Sequence, residues 1–88
     1  MQIYFEKSFL KDIKKLDNKL IAKKLKNILE EFEKAQDLSE FHNIKKMKGH
    51  TIYYCLKIND YRLGFSYEGD TIEVIRFLHR KDIYKLFP

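Results

Sequence analysis

The 88-residue chain has one cysteine, one proline, three glycines and no tryptophan. A lone Cys55 can form neither an internal disulfide nor a multi-cysteine zinc site, so a stapled secreted scaffold is excluded and a reducing, cytoplasmic setting is expected. Long apolar runs are also missing. No segment approaches the roughly 20 apolar residues that cross a bilayer. The opening MQIYFEKSFLKDIKKL meets Glu6 before it builds the apolar stretch of a signal peptide, so no membrane role is expected. There is no repeat and no glycine- or proline-rich linker. With 44% hydrophobic and 15% aromatic residues, the sequence reads as one folded domain over residues 1–88.

What the chain does have is positive charge: 18 Lys and Arg against 13 Asp and Glu, a net +5. An acidic partner is implied, and nucleic acid is the usual one. The excess is uneven. Residues 1–44 carry nine Lys and eight acids, whereas residues 45–88 carry nine Lys and Arg and five acids, including all three arginines, Arg62, Arg76 and Arg80. Arginine's planar fork of donors suits phosphate, while the lysines of the first half suit solvated helix faces.

Periodicity supplies the elements. QIYF at residues 2–5 is β-prone and suits a first strand. Ser8 is the expected N-cap of a helix carrying Phe9, Ile13 and Leu16. Ile21, Leu25, Ile28, Phe32 and Ala35 then recur at intervals of four and three, which predicts a long amphipathic helix ending near Gln36 and an αα-hairpin with almost no loop. After a polar connection the period falls to two. Residues 52–58, a turn at Asn59-Asp60, residues 61–67, a turn at Glu68-Gly69-Asp70 and residues 71–78 read as a three-stranded antiparallel meander, followed by a short C-terminal helix. The expected class is α+β. The hairpin should cover one face of the sheet and leave the other free, with Lys57 and Arg62 on the free face and the basic run Lys45, Lys46, Lys48 and His50 at its rim.

Few chemistries fit these residues. His42, His50 and His79 are far apart and lack a ligand-type spacing, so no metal or other cofactor is expected. Cys55 in mid-strand reads as packing, and no G-x-S-x-G motif is present. What remains is a cationic set with one histidine and one tyrosine: Lys57, Arg62, His79, Arg80 and Tyr84. Cutting RNA without a metal requires a deprotonated 2′-OH, stabilised charge on the five-coordinate phosphorus and a protonated 5′ oxygen. Guanidinium groups meet the second demand, and His, Lys or Tyr the first or third. Each residue also has a plainer reading: Arg62 paired with Asp60 or Asp82, Tyr84 as a core ring with a wet edge, His79 as a cap at a strand end.

The segment Lys46-Met47-Lys48-Gly49 through Tyr54-Cys55-Leu56-Lys57-Ile58-Asn59-Asp60-Tyr61-Arg62-Leu63-Gly64-Phe65, then Val74-Ile75-Arg76-Phe77-Leu78-His79-Arg80-Lys81-Asp82-Ile83-Tyr84, resembles the RelE/ParE superfamily of bacterial toxins. The resemblance implies an endoribonuclease that cuts messenger RNA in the ribosomal A site without a metal, leaves a 2′,3′-cyclic phosphate, and is silenced by a cognate antitoxin. It assigns catalytic roles to Lys57, Arg62, Arg80 and Tyr84. His79 joins them from the cationic set, and the basic run and the tail supply the expected RNA or ribosome contacts, Lys45, Lys46, Lys48, His50, Lys81 and Lys85. One departure stands out: Cys55 occupies a position that is basic in many RelE-type toxins, and which residue is the general base stays open. Two alternatives also stay open, a ParE-type inhibitor of DNA gyrase and an inactive basic module that only binds its antitoxin.

Overall fold

The computed structural model describes residues 1–88. β1 (Gln2–Phe5) leads into α1 (Lys7–Lys14) and α2 (Lys19–Lys34). A 3₁₀ turn at Leu38–Glu40 then precedes β2 (Ile44–Lys46), β3 (Tyr53–Ile58), β4 (Tyr61–Glu68), β5 (Thr71–His79) and α3 (Arg80–Leu86). The five strands form one sheet in the order β1-β5-β4-β3-β2. The β2–β5 pairings are antiparallel, whereas β1 lies parallel to β5 with Gln2 opposite Thr71 and Phe5 opposite Val74. The expected α+β class and element order hold, with one addition. Ile44-Lys45-Lys46, read in the sequence as a basic run, is an edge strand whose Ile44 faces Leu56.

The hydrophobic stripe of the helical hairpin meets one face of the sheet, where Phe9, Ile21, Leu25 and Phe32 are buried with Leu56, Ile58, Leu63, Phe65, Ile72, Val74 and Phe77. Phe32 sits at the centre, edge-on to Phe41 and 5.3 Å from the Phe65 ring. The buried positions of β5 are 72, 74 and 77. That break in alternation comes from a bulge: Phe65 pairs with Val74 and Gly64 with Arg76, so Ile75 is the extra residue.

Three expectations are corrected here. Ser8 is not the N-cap of α1, because Glu6 occupies that position and Ser8 lies inside the first turn. Its hydroxyl instead donates to the Ile75 carbonyl at 2.6 Å, an acceptor at the bulge, where the ladder is interrupted. Arg76 is not a phosphate ligand. Its Nε and Nη2 reach the two carboxylate oxygens of Asp12 on α1 at 2.8 and 3.0 Å, and Asp12 also accepts from the Phe77 N–H at 2.9 Å. The charge and hydrogen bonds of Asp12 hold the Arg76 guanidinium even more firmly protonated than usual.

The third correction concerns the face expected to be free. Ile83 and Phe87, four residues apart on the inner side of α3 and its end, pack over Cys55 with Met47, Tyr53, Ile75 and Leu78 around them. The tail thus covers the middle of that face. Gly64 makes the seat, since a β-carbon there would stand 2.8 to 3.0 Å from the Phe87 ring, closer than carbon atoms approach without displacement.

Candidate functional site

Lys57 and Arg62 are directly opposite across the β3–β4 hairpin, so both project from the face that carries α3. The hairpin closes through Asn59 in the left-handed region at φ 52°, a conformation asparagine tolerates better than most residues. Arg62 folds back over this turn. Its Nη1 donates to the carbonyls of Asn59 and Tyr61, both at 2.9 Å, which fixes the guanidinium and leaves Nε and Nη2 for an anion.

Between this hairpin, the edge strand and α3 lies an open concavity of about 380 Å³. β3 contributes Lys57 and Cys55, β4 contributes Arg62, α3 contributes Tyr84, and β2 with its approach contributes Lys45, Asn43 and His42. Tyr84 is next to the buried Ile83 on α3 but is itself 58% exposed, so its hydroxyl is presented to solvent rather than held in a core. Lys57, Arg62 and Tyr84 are therefore brought together as the sequence suggested, and Lys45 joins them.

The remaining residues are distributed differently. The alternation of β2 divides the basic run: Lys45 pairs with Cys55 on the side of the concavity, while Lys46 pairs with Tyr54, whose ring stacks on Phe65 on the other face. Lys48 and His50 lie near the β2–β3 turn, where His50 is edge-on to Tyr53, four strand residues or about 13 Å from Lys57. His79 caps α3, its Nδ1 accepting from the Lys81 N–H at 3.1 Å while its ring lies edge-on to Tyr61. Arg80 is exposed, with Nε 3.8 Å from an Asp60 carboxylate oxygen, a loose solvent-exposed pairing that costs little to break. Lys81 and Lys85 lie on the outer side of α3.

Cys55 is 3% exposed beneath α3, its Sγ 3.4 Å from Met47 Sδ. Burial pushes its thiol up to about 11 against the opposing pull of the Arg62 charge, so this position supplies packing and no proton chemistry. Sequence reasoning passed over His42 and Asn43 as site residues. Neither belongs to a periodic element, and only the topology that lays β2 beside β3 brings them to Lys57.

An αα-hairpin on one face of a five-stranded sheet, a short helix on the other and a cationic concavity at its edge define a small basic α+β domain with a cleft suited to an anion. Over residues 3–84 the chain matches the family described as the ParE toxin of type II toxin-antitoxin systems, parDE. It belongs to the RelE/ParE superfamily of toxins, on its RelE-like branch. It is 42% identical over 89 residues to Toxin RelE3 of Methanocaldococcus jannaschii, with both chains covered in full. Among solved structures it is similar to the RelB–RelE antitoxin–toxin complex from Methanococcus jannaschii. There the identity is 41%, the TM-score 0.83, and 97% of this chain and 99% of that chain are covered. The YoeB dimer from Staphylococcus aureus shares the fold at 20% identity and a TM-score of 0.71, covering 90% of this chain and 95% of the other. No helix is long and apolar enough to cross a membrane.

Proposed function

We propose that this toxin is a metal-independent endoribonuclease that cuts messenger RNA in the ribosomal A site and leaves a 2′,3′-cyclic phosphate. The observation that carries this reading is the gathering of Lys45, Lys57, Arg62 and Tyr84 around one concavity. Arg62, already pinned by the turn, directs its free N–H groups at the scissile phosphate and stabilises the charge that builds there. Lys57 is a second positive charge across the strand pair, and Tyr84 protonates the 5′ oxygen as it leaves. Arg80 adds charge from the start of α3, and Lys46, Lys48, His50, Lys81 and Lys85 serve as outlying contacts to RNA.

A cognate antitoxin silences the enzyme, as the RelB–RelE complex of a relative suggests. Its segment is acidic or amphipathic. It lies across the basic concavity or takes the place of α3, whose apolar side consists of only Ile83 and Phe87. The setting is the cytoplasm, where ribosomes work.

Primer extension in a reconstituted translation system tests the activity. Cleavage is expected at A-site codons, unaffected by chelator beyond the ribosome's own requirement for magnesium. The ParE description of the matched family favours one rival, inhibition of gyrase. Intact message together with trapped gyrase–DNA complexes would establish that rival instead.

A further inference from the structure

We infer that His42 is the general base of this cleft, the catalytic residue that takes the proton from the 2′-OH in place of the basic side chain missing at position 55. The inference deepens the ribonuclease reading and rests on it.

His42 stands where two concavities meet. On one side it shares the wall of the cationic concavity with Lys57, Arg62 and Tyr84. On the other it borders a smaller one, of about 260 Å³, lined by Glu31 of α2 and by Glu40. His42 is exposed and borders the cations Lys57 and Arg62, with no carboxylate paired to its ring. A base here needs a free lone pair beside the cations that stabilise the charge it helps to create.

The other candidates are otherwise engaged. Cys55 is buried with its thiol held neutral. The Nδ1 lone pair of His79 is taken up by the cap of α3, so its neutral ring carries the proton on Nε2 and has no outward lone pair to offer. A lysine ammonium is acceptor-free until it loses a proton, which suits Lys45 and Lys57 to charge stabilisation rather than base catalysis. An imidazole has a free lone pair at neutral pH.

The step balances within the site. His42 removes the 2′-OH proton, the bond from the 2′ oxygen to phosphorus forms, and the bond from phosphorus to the 5′ oxygen breaks. That oxygen leaves with the Tyr84 phenol proton. The proton on His42 returns to the Tyr84 oxygen through water, so no co-reactant is consumed.

The test is single-turnover cleavage by the full-length toxin on message-programmed ribosomes, from about pH 5.5 to 8.5. It uses His42→Gln and His42→Ala, with Arg62→Ala for comparison and Lys23→Ala, on the outer face of α2, as the variant that leaves cutting unchanged. Besides His42, Glu31, Glu40, Lys45, Lys57, Arg62 and Tyr84 all border the two concavities, so Glu31→Gln is measured in parallel. The expected result for His42→Gln is a loss on the order of 100-fold or more in the cleavage rate constant. The ribosome concentration at half-saturation should stay unchanged, and the acid limb of the pH profile should disappear. Added imidazole should restore part of the rate to His42→Ala. Arg62→Ala should be slow yet keep the acid limb, and Glu31→Gln should keep it as well. If wild type cuts and folded His42→Gln cuts within about threefold with its acid limb intact, or loses only affinity, His42 is not the base and the ribonuclease reading stands. If wild type leaves the message intact, that reading falls and this role with it.

Discussion

At the scale of single residues, the proposed site distinguishes groups placed to meet a phosphate from those that would only lend charge. Arg62 lines the concavity and is fixed by two backbone carbonyls, whereas Arg80 is exposed and held only by a loose pairing with Asp60. Removing one preorganised transition-state donor costs about 3 to 4 kcal/mol, or about 100 to 1,000-fold in rate. Arg62→Ala and Tyr84→Phe should show losses of this size in single-turnover cleavage, and Arg80→Ala a smaller one. Equal, near-wild-type rates in folded Arg62→Ala and Tyr84→Phe would move the chemistry elsewhere. Cys55 should be silent. With its thiol raised to about 11, only about one molecule in a thousand is a thiolate at pH 8. Native protein should therefore resist a disulfide reagent that labels the unfolded chain promptly. The linkage has a sign as well. A thiol whose value is raised by folding contributes stability below its unfolded value of about 9 and loses it as pH rises toward about 11. Cys55→Ser should therefore flatten the alkaline fall in melting temperature over that window.

At the scale of elements, two contacts determine how the helices sit on the sheet. Asp12 joins α1 to the bulge of β5 through Arg76 and the Phe77 N–H, and it is only 6% exposed. Asp12→Ala strands a partly buried guanidinium and a backbone donor, so about 3 kcal/mol of stability should be lost in urea unfolding. On the opposite face Gly64 admits the Phe87 ring. Gly64→Ala should cost about 1 to 3 kcal/mol by overpacking. If the clash with Phe87 is the cause, the same substitution should cost far less in a Phe87→Ala background, and a double-mutant cycle measures the coupling. The helices were legible in the sequence because burial repeats at intervals of three and four. The β3–β4 hairpin was legible because period-two alternation flanks an Asn-Asp turn. The bulge was not, since TIEVIRFL is apolar on both sides and such a run hides a shift in register. The cover provided by α3 was missed for a related reason: in a seven-residue helix only Ile83 and Phe87 carry the pattern. Around the concavity, Lys57, Arg62 and Tyr84 stood out in the sequence as members of a cationic set with one tyrosine, and the resemblance then suggested roles for them. His42 depends on a crossing of chain segments that no local pattern encodes.

At the scale of the molecule, Lys45, Lys57 and Arg62 of the second half border the concavity, and the first half spends its lysines on helix faces balanced by acids. Ribosome binding should weaken steeply with added salt. Lys48→Ala and Lys81→Ala should each lessen that slope, while the cleavage rate of the bound complex stays near wild type. Co-expression with an acidic antitoxin should yield a complex that resists the same salt better than the ribosome complex does, because an apolar seat adds to the charge. Co-purification that fails at low salt would remove this partner.

The parallel pairing of β1 with β5 has a consequence for the birth of the protein. Residues 2 to 5 leave the ribosome early, yet their partners begin at Thr71, and the Met1 ammonium reaches the carbonyls of Phe32, Glu33 and Ala35. The first strand therefore waits, unpaired, through most of synthesis, because contacts so distant along the chain form late. The cleft is later still, since Tyr84 follows the whole of β5. A nascent chain thus has no cleft until the segment bearing Tyr84 has followed β5 out of the ribosome: the residues proposed for the chemistry meet only once the sheet is complete.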